Sequence, residues 1–334
     1  MSPDRPLSPA VAEVRLAVRR ALTALQSQDA AAGVAAVVVA LSGGADSLAL
    51  AAATAFETPK LGIRAVAGIV DHGLQEGSAD VAARAAAVAE ALGLEARVLR
   101  VSVDAAHPDG PEAAARDARY ATLDALADEL GASGILLGHT LDDQAETVLL
   151  GLARGSGAAS LQGMAASSGR RIRPLLGVRR ATTRAFCAAS GLEPWDDPHN
   201  SDPAFARVRV RERVLPVLEA ELGPGVAEAL ARTAEQLRED ADAFRDMIDE
   251  TIEDIVEHAE AGISVSVAAL AANPAALRNR IIRHVVASEF HESLTRSQTL
   301  EVARLVTDWS GQGPVDLPGC RARRAGGRIE FTAS

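Results

Sequence analysis

The sequence predicts an α/β protein with a doubly wound, mainly parallel sheet, followed by a smaller and mainly helical C-terminal domain. In the first two-thirds of the chain, short β-branched runs alternate with alanine-rich helical segments. The β-branched runs are apolar at nearly every position, which is typical of strands covered on both faces of a parallel sheet. Near residue 216, proline and glycine interrupt this pattern, and a long acidic helical segment follows.

Four strands are predicted, and each is followed by a helix. The predicted strands are Val34–Leu41, Ile63–Val70, Ala96–Val103 and Gly134–Gly138. The predicted helices cover roughly residues 46–56, 78–92, 112–130 and 142–153. Because ligands bind outside the carboxyl ends of the strands in such sheets, we expect the chemistry at residues 42–47, 71–74 and 138–146.

Two domains are predicted, at residues 1–218 and 219–334. Pro216 and the segment Gly223-Pro224-Gly225 mark the change between them. The second domain is expected to contain a long helix over about 226–260, with shorter helices over about 275–289 and 297–309. Its tail, rich in proline and glycine, is expected to form loops and short strands.

Composition excludes several kinds of protein and site. The 334-residue chain is 48% hydrophobic with a formal net charge of −11, so it resembles neither a disordered chain nor a generally basic nucleic-acid coat. Two cysteines without a CxxC pair argue against a cysteine zinc site or an iron–sulfur cluster. Because no signal peptide and no apolar stretch of ~20 residues is visible, we expect a cytoplasmic protein without membrane contact. The sequence leaves the oligomeric state open, with a homodimer among the options.

A glycine-rich loop, Ser42-Gly43-Gly44-Ala45-Asp46-Ser47, follows the first predicted strand and leads directly into a helical pattern. Glycines let the backbone approach a ligand closely, and N–H groups at a helix start together with serine hydroxyls suit a phosphate chain. The single lysine, Lys60, lies outside any GxxxxGK sequence, so the loop is not of the Walker type. We expect Asp46 to hold Mg²⁺ that bridges the phosphates, the alternative being an ordinary turn in which Asp46 or Ser47 caps the helix.

Acidic residues follow the fourth predicted strand, in the segment Gly138-His139-Thr140-Leu141-Asp142-Asp143-Gln144-Ala145-Glu146. A helix start explains the position of the acids but not their number. Glu146 lies three positions after Asp143 and four after Asp142, so the three carboxylates share one helix face. Beside a phosphate site, such a cluster requires a cation, either Mg²⁺ or a substrate ammonium. His139, at the strand tip, is placed to reach a phosphate or a nucleobase.

The glycine-rich loop resembles the SGGxDS loop of the PP-loop ATP pyrophosphatases, which split ATP between the α and β phosphates. Further segments occur in the order seen in one family of that group, the bacterial tRNA(Ile)-lysidine synthetases. The similarity continues more weakly through Ala275–His284 and Val315–Phe331, so it covers nearly the whole chain. The segments that carry it are Asp71–Leu74, Glu112–Tyr120, Gly138–Thr147, Arg154–Gly157, Arg173–Leu176, Trp195–Asn200 and Phe205–Arg207.

The resemblance implies an ATP-dependent, AMP-forming carbon–nitrogen ligase. In that reaction, ATP adenylates the C2 carbonyl oxygen of cytidine 34 in the CAU anticodon of tRNA(Ile), and pyrophosphate leaves. The amine of L-lysine then attacks C2 and expels AMP, which leaves lysidine and switches the tRNA from methionine to isoleucine. The implied ligands are therefore ATP, Mg²⁺, L-lysine and tRNA(Ile).

The resemblance also implies roles for individual residues. Which of Asp143 and Glu146 bind Mg²⁺ and which bind lysine stays open. The candidate catalytic residues are Asp46, His139, Asp143 and Glu146, and the candidate ATP-binding residues are Ser42, Gly43, Gly44, Ala45, Asp46 and Ser47. Candidate contacts to substrate or tRNA are Arg116, Arg119, Arg154, Arg173, Asp197, Asn200, Arg207 and Arg211. The sequence departs from the family pattern at Thr140, His199 and Val208, where histidine (in some relatives), serine and asparagine are found.

Arginine is concentrated in residues 169–184, in residues 207–213 and in the tail from Arg321. The planar arginine fork suits phosphate, and screening beyond ~8 Å at physiological salt lets local patches act independently of the net charge. Aromatic residues make up 3% of the chain, so we expect tRNA to be held through phosphates and shape more than through base stacking. Two alternatives remain, namely another PP-loop enzyme acting on tRNA, such as a 2-thiolase, and a non-catalytic adenine-nucleotide-binding module.

Overall fold

The computed structural model describes residues 8–28, 36–73, 77–101, 110–155, 157–197, 201–259 and 262–334. The backbone divides into two compact units, Met1–Gln236 and Leu237–Ser334. This division lies later in the chain than the boundary expected between residues 218 and 219. The reason is that Ala227, beyond the expected boundary, packs in one apolar cluster with Leu141, Ala145 and Leu215.

The first unit is built on a sheet with helices packed against it. Its strands are β1 (Ala36–Ala40), β2 (Arg64–Asp71), β3 (Glu95–Arg100), β4 (Gly134–Leu136), β5 (Ser167–Ser168) and β6 (Arg171–Ile172). Its helices are α1 (Pro9–Gln28), α2 (Ala45–Leu61), α3 (Ser78–Ala91), α4 (Pro111–Leu130), α5 (Leu141–Arg154), α6 (Ala158–Leu161), α7 (Arg180–Ser190), α8 (Ala206–Arg209) and α9 (Leu215–Leu222). A π-helical turn, Val210–Val214, joins α8 to α9, and the division between the units falls inside α10 (Val226–Ile255).

The strand order is β3-β2-β1-β4-β6-β5, and neighbouring strands are parallel except β5 and β6. The predicted mainly parallel sheet is therefore confirmed, and so are its four predicted strands. Val34 and Val103, at two of the predicted strand ends, lie outside the described residues.

Strand β1 is covered on both faces, as its continuous apolar run predicted. Val37 and Val39 are fully buried in a cluster that includes Leu48 of α2. Val38 is fully buried in a second cluster, which includes Leu123 of α4. Because successive side chains of a strand point to opposite faces, both faces of β1 require apolar residues.

The order of the strands reverses at β1, since β2 and β3 lie on one side of it and β4 lies on the other. In doubly wound sheets, the ligand crevice opens at the carboxyl ends of the strands at this reversal. A Cβ added to Gly138, just after β4, would lie 3.1 Å from the Ser47 backbone nitrogen and 3.2 Å from the Asp46 carbonyl oxygen. Glycine therefore allows the segments after β1 and β4 to approach each other closely.

The second unit combines helices with an antiparallel sheet. The expected helices near 275–289 and 297–309 are observed, whereas the long acidic helix ends at Ile255 and is followed by strands. The strands are β7 (Val256–Ala259), β8 (Gly262–Ser266), β9 (Val315–Leu317), β10 (Cys320–Ala325) and β11 (Arg328–Ala333), in the order β7-β8-β11-β10-β9. The helices are α11 (Val267–Ala272), α12 (Ala275–Phe290) and α13 (Arg296–Thr307). Across the described part of the chain, no helix is both long and apolar enough to cross a membrane.

Candidate active site

The loop Ser42–Ser47 joins β1 to α2, and hydrogen bonds within the loop fix its shape. The backbone N–H of Ser42 donates to Ser47 Oγ at 3.2 Å, and Ser47 Oγ donates to the Gly44 carbonyl at 2.9 Å. Gly43 has a φ of +87°, a left-handed conformation that favours glycine. The N–H groups of the first turn of α2 have no acceptor within the helix, and the helix dipole is positive there. The loop is therefore suited to bind an anion, largely through its backbone.

The start of α5 carries the acidic residues, and hydrogen bonds hold two of them in place. The backbone N–H and the hydroxyl of Thr140 both donate to Asp143 Oδ2, each at 2.8 Å. Asp142 Oδ2 accepts the backbone N–H of Arg180 at 2.7 Å. Each carboxylate can accept more hydrogen bonds than these contacts supply, so both Asp142 and Asp143 keep lone pairs that could bind a ligand.

The loop and the start of α5 line one cleft of about 550 Å³. Asp46 and Ser47 lie on the loop side of the cleft, and His139 and Asp143 lie on the side after β4. Glu146 is fully buried and does not belong to the cleft lining. A ligand in the cleft therefore meets Asp143 directly, whereas it would reach Glu146 only after neighbouring side chains move.

Arg180, the first residue of α7, contacts acids on both sides of the cleft. Its Nη2 lies 2.7 Å from Asp143 Oδ1, its Nη1 lies 3.1 Å from Glu146 Oε1, and its Nε lies 3.5 Å from Asp46 Oδ2. The Arg180 side chain is 16% exposed and lines the cleft. In this structure, the cation that the acidic cluster requires is thus supplied by the chain itself.

Glu146 is the most deeply buried acid of the cluster, and guanidinium groups surround it. Arg211 donates to both of its carboxylate oxygens, at 2.7 and 3.1 Å, while Arg180 contacts the same carboxylate. Arg207 Nε lies 3.8 Å away. A buried carboxylate without a partner is strongly unfavourable, and the arginine fork matches its geometry. Glu146 therefore joins α5 to α7 and to the π-helical turn.

Asp46 and Asp143, which both line the cleft, have pKa values shifted in opposite directions. Burial raises the pKa of Asp46, although the Thr183 hydroxyl, which donates to Asp46 Oδ1, and the Arg180 charge oppose this shift. Burial also acts to raise the pKa of Asp143, but Arg180 and the hydrogen bonds from Thr140 outweigh it, and the pKa falls below its usual value. Asp143 is therefore held in its charged form, while Asp46 gives up its charge more readily.

His139 is neutral at physiological pH. Burial lowers its pKa to about 4, against the opposing effect of the Asp143 charge. The charges of Arg173, Arg207 and Arg116 lower the pKa further. Its Nδ1 is buried and has no hydrogen-bond partner among the described residues. A neutral imidazole with a free nitrogen can form a hydrogen bond to a ligand in the cleft.

The predicted substrate residues before α5 lie close to the cleft. Arg119 lines it, and Arg116 is near enough for its charge to act on His139. Arg119 Nε also donates to His72 Nε2 at 3.3 Å. Asp71, which ends β2, accepts the Gly73 N–H at 3.0 Å and forms a turn. Neither Asp71 nor His72 belongs to the cleft lining, and Leu74 lies outside the described residues.

The predicted substrate residues after α5 are more scattered. Asp197 lines the cleft. Arg173 donates to the Ala165 carbonyl at 2.9 Å, and its charge reaches His139. Arg154 is exposed in the last turn of α5, at the end of the helix away from the cleft. Asn200 and His199 lie outside the described residues, so their predicted roles have no structural counterpart here.

The sequence resemblance implies that Mg²⁺ binds with ATP, and the structure limits which residues could hold it. Among the described residues, no group of three or more His, Cys, Asp or Glu side chains is arranged to hold a metal ion. Mg²⁺ commonly keeps several waters and is bound through one or two carboxylates and the phosphates of a substrate. Asp46, the one acid of the loop, fits that second kind of site and could supply one oxygen ligand.

Sequence reasoning missed Arg180, Thr183 and Trp195 as parts of the site. The Trp195 backbone N–H donates to the Gly43 carbonyl at 3.0 Å, which braces the loop from outside. Arg180 was recognised only as one member of an arginine-rich segment without acids. One signal could have indicated that Arg180 pairs with the acids of α5. Residues 169–184 contain several arginines and no acid, while the acidic cluster after β4 has no arginine or lysine close to it in sequence.

Comparison with known proteins agrees with this geometry. The sequence pattern of the PP-loop domain matches residues 15–218, and that of the TilS substrate binding domain matches residues 266–330. The tRNA(Ile)-lysidine synthase of Leifsonia xyli subsp. xyli is 63% identical over 297 residues, covering 88% of this chain and 89% of the relative. The tRNA(Ile)-lysidine synthase of Thermobifida fusca is 52% identical, covering 97% of this chain and 98% of the relative.

A solved structure supports the fold. The U34-tRNA thiolase NcsA from Methanococcus maripaludis, determined with its 4Fe-4S cluster, superposes with a TM-score of 0.57. The match covers 69% of this chain and 79% of that chain, with 22% sequence identity. At that identity, the similarity is evidence for a shared architecture and carries no argument about activity.

Proposed function

The chain belongs to the family of tRNA(Ile)-lysidine synthases, and from this premise we propose that its cleft joins L-lysine to an ATP-activated cytidine of tRNA(Ile). The enzymes of this family form lysidine and use a PP-loop domain that binds ATP. The observation that carries the proposal is that the phosphate loop and the acidic start of α5 line the same cleft. One base in that cleft would be within reach of both sets of groups.

The first step activates the base. The C2 carbonyl oxygen of cytidine 34, in the CAU anticodon, attacks the α-phosphate of ATP, and the bond to the pyrophosphate breaks. Backbone N–H groups of the loop, with the hydroxyls of Ser42 and Ser47, stabilise the charge that grows on the leaving pyrophosphate. Asp46 would hold Mg²⁺, which when bound neutralises charge on the phosphates.

The second step replaces AMP by lysine. An amine of L-lysine attacks C2, the bond between C2 and the AMP oxygen breaks with its electrons going to AMP, and the nitrogen loses a proton. Asp143 is charged and lines the cleft, so it would bind an ammonium group of lysine. The base must leave its stack to expose C2. His139, with an unpartnered Nδ1, would orient that base by a hydrogen bond.

The tRNA would be held by arginines and by the second unit, which contains the match to the TilS substrate binding domain. We assign catalysis to residues 1–218 and tRNA support to residues 219–334. Many tail arginines are in ion pairs, such as Arg321 with Asp316 at 2.6 Å and Arg323 with Glu330 at 2.7 Å. Exposed pairs of this kind contribute only ~0–1 kcal/mol, so RNA phosphates can replace the carboxylates. Because tRNA and ATP are cytoplasmic, we place the protein there.

The alternatives are less well supported. A tRNA 2-thiolase of this fold would use cysteines that lie together as a pair. The two cysteines of this chain, Cys187 and Cys320, are each buried and are not paired with one another. Burial raises the pKa of Cys187 to about 11, which makes it a poor nucleophile. A binding module without activity would not need both a phosphate loop and an acidic cluster in one cleft.

The proposed function is tested by incubating the protein with purified tRNA, ATP, Mg²⁺ and radiolabelled L-lysine, followed by nucleoside analysis. We expect label in a single modified cytidine of tRNA(Ile), with one AMP and one pyrophosphate released for each lysine incorporated. A matched tRNA whose anticodon cytidine is replaced by uridine is expected to remain unlabelled. Nucleotide binding without label in the tRNA would refute the assignment.

A further inference from the structure

Arg180 connects the two halves of the cleft, and we propose that it is a positioning residue that couples ATP binding to lysine binding. The inference rests on the proposed function, since it needs an anionic phosphate chain at the loop and a cationic amine at Asp143. What it adds is a thermodynamic link between the two ligands. Such a link is reciprocal, so each ligand changes the affinity for the other by the same factor.

The contacts of one guanidinium group make this link possible. Its three nitrogens face three carboxylates on two elements, namely Asp46 at the start of α2 and both Asp143 and Glu146 on α5. The Arg180 backbone N–H is held by Asp142 at 2.7 Å, so the main chain is fixed while the side chain lies in the cleft. The contact to Asp46, at 3.5 Å, is the longest of the three, so in this structure the guanidinium favours the acidic side.

Each ligand would shift the Arg180 guanidinium group in the same direction, away from Asp143 and towards Asp46. A phosphate chain at the loop attracts the guanidinium towards Asp46 and weakens its hold on Asp143. An ammonium group at Asp143 takes over that carboxylate and repels the guanidinium towards the loop. Because each ligand favours the arrangement that the other requires, the coupling is positive.

No other described arginine contacts both Asp46 of the loop and the acidic residues of α5. Arg211 binds Glu146 through both carboxylate oxygens and lies 3.6 Å from Asp143, all on the acidic side. Arg184, four residues after Arg180, is 67% exposed and pairs at 3.8 Å with the exposed Asp196. Arg180 is therefore the side chain to vary.

Calorimetric titration of the full chain tests the coupling. The nucleotide is α,β-methylene ATP with Mg²⁺, which cannot release pyrophosphate, titrated with and without saturating L-lysine. We expect lysine to tighten nucleotide binding by at least about fivefold in the wild type. In Arg180→Lys, which keeps the charge but loses the fork that spans several carboxylates, the factor is expected to fall towards one. Arg245→Gln removes an exposed pair with Asp242 on α10 and serves as a matched control with the wild-type factor.

If the role of Arg180 is purely structural, its replacement would weaken the affinities for nucleotide and for lysine, but the factor by which lysine tightens nucleotide binding would stay at the wild-type value. Should Arg180→Lys fail to fold, which its melting curve would reveal, Asp46→Asn breaks the same link from the loop side and is expected to reduce the coupling. Absence of coupling in the wild type, or wild-type coupling in both variants, overturns the inference. If the wild type still forms lysidine in that case, the proposed function stands and only the coupling is lost.

Discussion

The phosphate loop and the acidic start of α5 lie in the same cleft but are built in different ways. The loop owes much of its shape to hydrogen bonds between residues at most five positions apart, such as Ser42 and Ser47, with Trp195 adding a bond to the Gly43 carbonyl from outside. The acidic start of α5 depends on partners far along the chain, since Glu146 is neutralised by Arg180 and Arg211, 34 and 65 positions away. A site built from local backbone is specified by a short motif, whereas a buried charge cluster is specified only when the whole fold is present.

This difference predicts different consequences of mutation in the two regions. Loss of a loop side chain should remove chemistry and leave the fold intact. Loss of a buried acid on α5 should damage both, because it leaves arginine charges uncompensated. The following variants test that contrast, in order of expected effect.

Asp46→Ala is expected to abolish pyrophosphate release while leaving the fold intact. The physical reason is that Asp46 is the one acid of the loop and the candidate ligand of Mg²⁺. The fold should survive because Arg180 retains its contacts to Asp143 and Glu146. Pyrophosphate release in the presence of tRNA, ATP and lysine measures the first effect, and the melting temperature measures the second. Turnover near the wild-type rate would remove Asp46 from the mechanism.

Glu146→Ala and Asp143→Ala are each expected to reduce turnover by ~10²-fold or more. Asp143→Ala loses a contact to the reacting amine, and a single transition-state contact is of that scale. Glu146→Ala acts indirectly, because Arg180 and Arg211 lose the carboxylate that positions them beside the cleft. The two variants should differ in stability. Glu146 is fully buried, so its removal should cost about 3–5 kcal/mol of unfolding free energy, whereas Asp143, whose side chain is 11% exposed, should cost less. Urea unfolding and kcat measure the two quantities, with Glu146→Gln as the isosteric control. Equal stabilities for the two alanine variants would contradict the distinction between them.

The same contrast explains how much the sequence could predict. The strands around the loop, and the loop itself, follow from apolar runs and glycines that act over a few residues. The acid-free arginine segment around residue 180 indicated a partner for the acidic cluster, but nothing in the local sequence shows that α7 begins with Arg180 beside Asp46 and Asp143. The same holds for β7 and β8, since the acidic helical pattern continues to about residue 260, whereas in the folded unit β7 pairs with β8 and β8 pairs with β11. Local patterns thus predict backbone elements better than they predict which charges meet.

His139 is expected to make stability depend on pH. Its pKa is about 4 in the folded protein, against about 6.5 in an unfolded chain, so between these values the unfolded state binds more protons. Its contribution to stability is therefore fully present above about pH 6.5 and is lost progressively as the pH falls towards 4, on the order of 1–3 kcal/mol. Melting temperatures at pH 7 and pH 5 should differ less in His139→Gln than in the wild type. An identical pH dependence in both proteins would contradict burial of a neutral imidazole.

Arg154→Ala is expected to have the smallest effect, because Arg154 is exposed at the far end of α5 and lies outside both regions. If it contacts an RNA phosphate, as the sequence resemblance implied, the slope of log affinity against log salt should become shallower by about one unit. Turnover at saturating tRNA should stay the same. An unchanged salt slope would assign Arg154 to a surface that tRNA does not contact.

The most direct test of the account separates the two half-reactions, using ATP labelled in the α-phosphate and tRNA(Ile). Without lysine, the wild type should accumulate labelled adenylate on the tRNA, and added lysine should convert it to free AMP. Asp143→Asn should form the adenylate but release AMP slowly when lysine is added, whereas Asp46→Ala should form no adenylate. Blockage of the same half-reaction by both variants would contradict the assignment of activation to the loop and of amine capture to α5.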